Sequence, residues 1–135
     1  FAKEKGLQHV VVPYMGISYL QGKYVQADTD LEKLLNLMRN AEYVITDSFH
    51  MTVFSIIHKK NFYTFERFRE SPTGSTNSRV RNILKLTGLN DRLIKFNSNK
   101  IRNLDNINYG ISQQELENKI EYSKQYLKDA IGEDE

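Results

Sequence analysis

Residues 41–54 read AEYVITDSFHMTVF, and the whole fold is decided by how this stretch is read. Tyr43-Val44-Ile45-Thr46 is a short, β-branched and aromatic run, the pattern of a strand buried on both faces. Asp47-Ser48 ends it with two side chains suited to accept hydrogen bonds from the free N–H groups of a helix start. From Phe49 the sequence is apolar again and predicts a helix to about Lys59. Met51, Val53, Phe54, Ile56 and Ile57 fall almost all round that helix, which predicts that it is buried. A strand running straight into a helix, with a single histidine, His50, in the first helical turn, is the unit from which parallel α/β sheets are built.

The flanks repeat the unit. On the C-terminal side, Phe62–Phe65 predicts a strand. Glu66–Asn77 is a long polar loop, Ser78–Thr87 a helix stopped by Gly88, and Asn90–Ile94 a turn with a short strand. Residues 97–108 are Asn-rich and carry no periodic signal. Ile111–Ile131 predicts a last helix, with Ser112 and Glu115 as a capping box and an apolar or aromatic stripe of Leu116, Ile120, Tyr126 (or Ser123), Leu127 and Ile131. On the N-terminal side, Asp28-Thr29-Asp30 offers an N-cap for a helix ending near Asn40, whose Leu31, Leu34, Leu35 and Met38 recur at i, i+3, i+4, i+7. Tyr24–Ala27 predicts a short strand, Pro13–Lys23 a loop, and Gln8–Val12 a central parallel strand. Phe1–Gly6 reads as the last turn of a helix closed by a C-cap glycine. Such a beginning implies a piece of a longer protein, with an N-terminal domain as its partner. Strands alternating with helices give a three-layer, Rossmann-like α/β domain over residues 1–135, with a mostly parallel sheet.

Composition excludes several function classes. The 19 basic and 17 acidic residues nearly balance and form no basic block, so nothing reads as a nucleic-acid face. The absence of cysteine removes disulfides and thiolate metal sites and fits a reducing, cytoplasmic compartment. No apolar run approaches the roughly 20 residues of a membrane span.

In parallel α/β sheets ligands bind beyond the carboxyl ends of the strands. Here those ends are Pro13-Tyr14, Asp47-Ser48-Phe49-His50 and Glu66-Arg67. Imidazole changes charge near neutral pH, so His50 is a candidate acid/base at a helix start that attracts anions. The alternative for His50 is a buried, hydrogen-bonded structural residue. Asp47 and Ser48 suit capping first and ligand contact second. Ser75-Thr76-Asn77-Ser78-Arg79 leads into a helix and would make an anion cradle, or else an ordinary cap with a surface arginine. Arg67 and Arg69 add positive charge after a strand end. There is no nucleophile elbow, Gly-rich phosphate loop, CxxC pair or histidine spacing for a metal.

TDSFHMTVFSIIHKKNFYTFERF (residues 46–68) and NSRVRNILKLTGLNDRLI (residues 77–94) together resemble the C-terminal half of the polysaccharide pyruvyl transferase family. Members carry a strand, a Ser-Phe-His or Arg-Phe/Leu-His turn, an apolar helix, a strand, and later Asn-Ser-Arg opening a helix. The likeness runs from about Tyr43 to Ile94 and extends weakly to the C-terminal helix and, at the front, to the strand Val10–Val12. It implies the second Rossmann-like domain of a GT-B-like transferase that moves the enolpyruvyl group of phosphoenolpyruvate onto a sugar diol. The product is a pyruvate ketal, and no metal or organic cofactor is implied. His50 matches the family's active-site histidine, and Asn77, Ser78 and Arg79 match its Asn-Ser-Arg motif. Ser48 and Arg67 complete the expected phosphoenolpyruvate-binding set. The family often has Gly after the histidine. Met51 stands there instead, where its side chain would crowd a ligand. Two other readings compete: a nucleotide-sugar glycosyltransferase of the same architecture, and a non-catalytic domain docking a partner through Tyr14, Tyr19 and Phe68.

Overall fold

Three parallel strands in the order β1-β2-β3 form the sheet of the computed structural model. The structure describes residues 1–12, 30–67, 77–98, 101 and 106–132. The expected loop at residues 13–23, the strand at 24–27, and residues 68–76 with Phe68, Arg69, Ser75 and Thr76 lie outside the described residues. In chain order the elements are α1 (Leu31–Asn40), β1 (Tyr43–Thr46), α2 (Phe49–Ile57), β2 (Asn61–Phe65), α3 (Ser78–Leu86), a 3₁₀ turn at Asn90–Arg92, β3 (Leu93–Ile94) and α4 (Tyr109–Ile131). Asp30 caps α1 as expected, its carboxylate accepting from Lys33 N at 2.8 Å.

Val44 pairs with Phe62, and Thr46 with Thr64. Alternation along the strands puts these four on one face and Tyr43, Ile45 and Tyr63 on the other. The first face carries the core. Met38 of α1, Ile56 of α2, Val80 and Leu84 of α3, Leu89 and Tyr109 gather with Val44 and Phe62 in one buried cluster. Every helix that joins this cluster does so over that face, so the described residues form a two-layer arrangement. The opposite face receives the N-terminal turn. Phe1 packs edge-on against Tyr43 and Tyr63, with ring centroids 5.2 and 5.5 Å apart, while Ile45 is 47% exposed.

Several expectations change in contact with the structure. Gln8–Val12 is not a central buried strand: Val11 makes a single bridge, and Val10 and Val12 are exposed. A β-branched run is buried only where neighbouring strands and helices cover it, and among the described residues this one has no such cover. In α2 the most deeply buried positions are Thr52, Ser55 and Ile56, while Ile57 is exposed. The small hydroxyl residues let α2 lie close to β2. Their polar atoms are satisfied locally, Thr52 Oγ1 donating to Ser48 O and Ser55 Oγ to Met51 O. With its own hydrogen so placed, Thr52 Oγ1 accepts from Thr64 Oγ1 at 2.9 Å.

The last helix begins at Tyr109, not Ile111, and Asn108 is its N-cap, accepting from Gly110 N at 3.1 Å. Ser112 therefore lies inside the helix. Tyr109 fixes this earlier start, because its hydroxyl reaches the carbonyls of Ser55 and Lys60 at the end of α2. Of the expected apolar stripe, Leu116 packs against the core and Ile120, Tyr126, Leu127 and Ile131 are exposed.

Candidate functional site

The carboxyl ends of β1 and β2 lie side by side, because Thr46 and Thr64 are register partners. Beyond them come Asp47-Ser48 on one side and Glu66-Arg67 on the other. Ser48 caps α2: its hydroxyl accepts from Met51 N at 3.5 Å, its carbonyl accepts from Thr52 N, and its own N–H donates to Thr46 Oγ1 at 3.0 Å. Asp47 plays no part in that cap. Its carboxylate takes a two-pronged hydrogen bond from Arg67, Nε to Oδ2 and Nη2 to Oδ1, each 3.0 Å. This pair escaped the sequence, since nothing local relates two residues twenty positions apart.

His50 occupies the second position of α2 and is exposed, so the reading of it as a buried structural histidine does not hold. Its ring meets that of Phe49 edge-on at 5.8 Å. The same Phe49 ring is covered by the guanidinium of Arg79, 5.4 Å from its centroid. Arg79 belongs to the first turn of α3, and both it and Ser78 are exposed. One aromatic ring thus joins the starts of the two helices and brings the Ser-Phe-His and Asn-Ser-Arg segments together. Met51, next in sequence, sends its side chain against the hydrophobic core.

Asn77 is placed differently from the exposed pair that follows it. It is buried, it precedes the first residue of α3, and its side chain makes no capping bond. Its Oδ1 instead accepts from the main-chain N–H of Arg67 at 3.2 Å. Asn77 therefore ties the end of β2 to the start of α3. A second tie runs beside it. Buried Glu66 accepts from Arg81 Nε at 2.7 Å and from Phe96 N at 3.2 Å, linking β2, α3 and the segment after β3. Glu66 and Arg81 were also not singled out by the sequence, where a Glu at a strand end reads as loop polarity.

The structure thus brings His50, Ser48, Arg67, Asn77, Ser78 and Arg79 to one edge of the sheet. Ser48 and Asn77 serve the backbone, Arg67 serves Asp47, and His50, Ser78 and Arg79 stand outward. Two helix starts converge there with arginine side chains, an arrangement that favours anions. Among the described residues no group of three or more His, Asp or Glu side chains forms a cation site.

Residues 4–67 match the polysaccharide pyruvyl transferase family. The match covers just under half of the chain, on its N-terminal side, and takes in α1, β1, α2, β2 and the strand-end segment from Asp47 to Arg67. It takes in the N-terminal stretch, where the likeness from Tyr43 to Ile94 continues only weakly to Val10–Val12, and it stops before Asn77-Ser78-Arg79. No match was found among curated proteins or among solved structures. No helix of the described residues is long and apolar enough to cross a membrane.

Proposed function

We propose that this domain binds phosphoenolpyruvate in a GT-B-like enzyme of the cytoplasm, as its C-terminal lobe, and that the enzyme builds a pyruvate ketal on a polysaccharide or its precursor. The observation that carries this reading is the Phe49 ring shared by His50 and Arg79, which unites an acid/base with a cation at two helix starts. The chemistry needs both. A proton must reach the methylene carbon of the enolpyruvyl group, so that the neighbouring carbon becomes open to attack. One sugar hydroxyl then adds to that carbon and gives up its proton, phosphate leaves with the electron pair of its C–O bond, and the second hydroxyl adds to the cation so formed and gives up its proton in turn. His50 serves as the proton donor and acceptor, a role worth about 10²–10⁴-fold in rate. Arg79, Ser78, Asn77, Arg67 and the Ser48 end of α2 provide the field for the donor's phosphate and carboxylate.

The test is a kinetic comparison with phosphoenolpyruvate and the carbohydrate acceptor. His50→Ala should lower kcat by about 10²–10⁴-fold with an unchanged circular dichroism spectrum. Near-normal turnover of that variant would remove His50 from the chemistry. Arg79→Ala should raise the KM for phosphoenolpyruvate by about tenfold, the size expected for one lost charge-assisted hydrogen bond. Binding of a nucleotide sugar in place of phosphoenolpyruvate would favour the glycosyltransferase reading.

A further inference from the structure

Asp47 and Arg67 meet in a fork, with both carboxylate oxygens engaged at 3.0 Å by Nε and Nη2. Their side chains are 50% and 44% exposed. An ion pair so open to water adds little to stability. What a two-pronged contact does supply is direction, because it fixes the plane of the guanidinium as well as its position. Arg67 is also held at its other end, since its main-chain N–H donates to the buried Asn77. Backbone and head group are therefore pinned separately, one to the start of α3 and one to the turn that leads into His50. A carboxylate beside a site for anions would otherwise be a liability, as its charge repels the ligand.

We infer that Asp47 is a positioning residue: it orients the Arg67 guanidinium at the adjoining carboxyl ends of β1 and β2, and it strengthens donor binding only through Arg67. The inference rests on the pyruvyl-transfer reading. Two effects of Asp47 oppose each other, and only one depends on Arg67. Orientation of the guanidinium strengthens donor binding, while direct repulsion weakens it. Removing the carboxylate charge should therefore loosen binding where Arg67 is present and leave it unchanged or tighter where Arg67 is absent. A merely structural role would not produce that dependence.

The experiment is calorimetric titration of the enzyme with phosphoenolpyruvate, in a cycle of Asp47→Asn, Arg67→Ala and the double variant. Asp47→Asn keeps the shape and one acceptor oxygen, so the fold is preserved. Its Kd should rise by about three- to tenfold, the range of coupling for residues in direct contact. In the Arg67→Ala background the same change should have no effect or tighten binding. Arg67→Lys, which keeps the charge but lacks the fork, replaces Arg67→Ala as background if the latter binds below the range of the titration. Absence of phosphoenolpyruvate binding by the wild type would overturn the functional reading and the inference with it. Wild-type binding with an unchanged Kd in Asp47→Asn would overturn the inference alone. So would an equal loss in both backgrounds, or an Arg67→Ala variant that binds like wild type.

Discussion

Tyr109 shows how a single side chain places an element. Its ring is buried in the core, and its hydroxyl donates toward the carbonyls of Lys60 and Ser55, where α2 ends and β2 begins. The phenol is held neutral: burial raises its pKa above the ordinary tyrosine value of 10.0, against a smaller lowering by Arg92. The sign for stability follows. A raised folded-state pKa means that the folded protein holds the phenolic proton more tightly than the unfolded chain does. The stability from the neutral hydroxyl is complete below about pH 10 and declines above it, as the unfolded chain ionises first. Tyr109→Phe should cost about 1–2 kcal/mol at neutral pH, because two carbonyls lose their donor. It should also flatten the decline of stability above about pH 10 relative to wild type. Denaturant unfolding at several pH values measures both, and an equally steep alkaline decline in the variant would show that Tyr109 is not its source.

At the scale of elements, the same closing device recurs at the N-terminal turn and at the ends of α2 and α3. Leu7 N bonds Ala2 O with Gly6 N on Lys3 O, Leu89 N bonds Leu84 O with Gly88 N on Lys85 O, and Lys60 N bonds Ser55 O with Lys59 N on Ile56 O. This pattern needs a left-handed residue at its centre. Gly6 and Gly88 supply it at φ 67° and 68°, but after α2 the residue is Lys59 at φ 52°. A lysine there pays a steric cost that glycine avoids. Lys59→Gly should therefore stabilise the fold by about 0.5–1 kcal/mol net of the greater freedom glycine has when unfolded. Thermal unfolding would register this as a rise of about 2–4 °C; a fall in Tm would mean that the Lys59 side chain has a packing role outweighing its backbone strain. The contrast also explains what sequence reading can reach. The Asp30 cap, the Gly88 stop and the strands Tyr43–Thr46 and Phe62–Phe65 are legible because each signal lies within a few residues. The start of α4 is not, because it is fixed by Tyr109 reaching α2 across the fold. Among site residues, His50 and Arg79 were legible as residue types at helix starts. That Phe49 joins them, that Asp47 holds Arg67 and that Asn77 turns inward depend on segments that meet only in three dimensions.

For the whole molecule, α4 meets the core only near its N-terminal end. Tyr109 and Leu116 pack against the buried cluster, whereas every side chain from Glu117 to Gly132 is exposed. The outer turns thus contribute helix without burial. An unpacked helical segment of this length is marginal in water even with good helix formers. Its Ile120, Leu127 and Ile131 lie on the same side as Leu116 by helical spacing and remain open to solvent. If nothing covers that side in solution, deleting residues 119–135 should leave the fold standing with a Tm within about 2 °C of the intact chain, since surface groups away from buried features change stability by about 0.5 kcal/mol or less. On the proposed reading phosphoenolpyruvate binding should survive as well, because the strand ends and the starts of α2 and α3 lie outside the deleted segment. A larger fall in Tm would reveal that the outer turns of α4 are packed. Repeating the melt at several protein concentrations would then separate packing against a second copy, which depends on concentration, from packing within one chain, which does not.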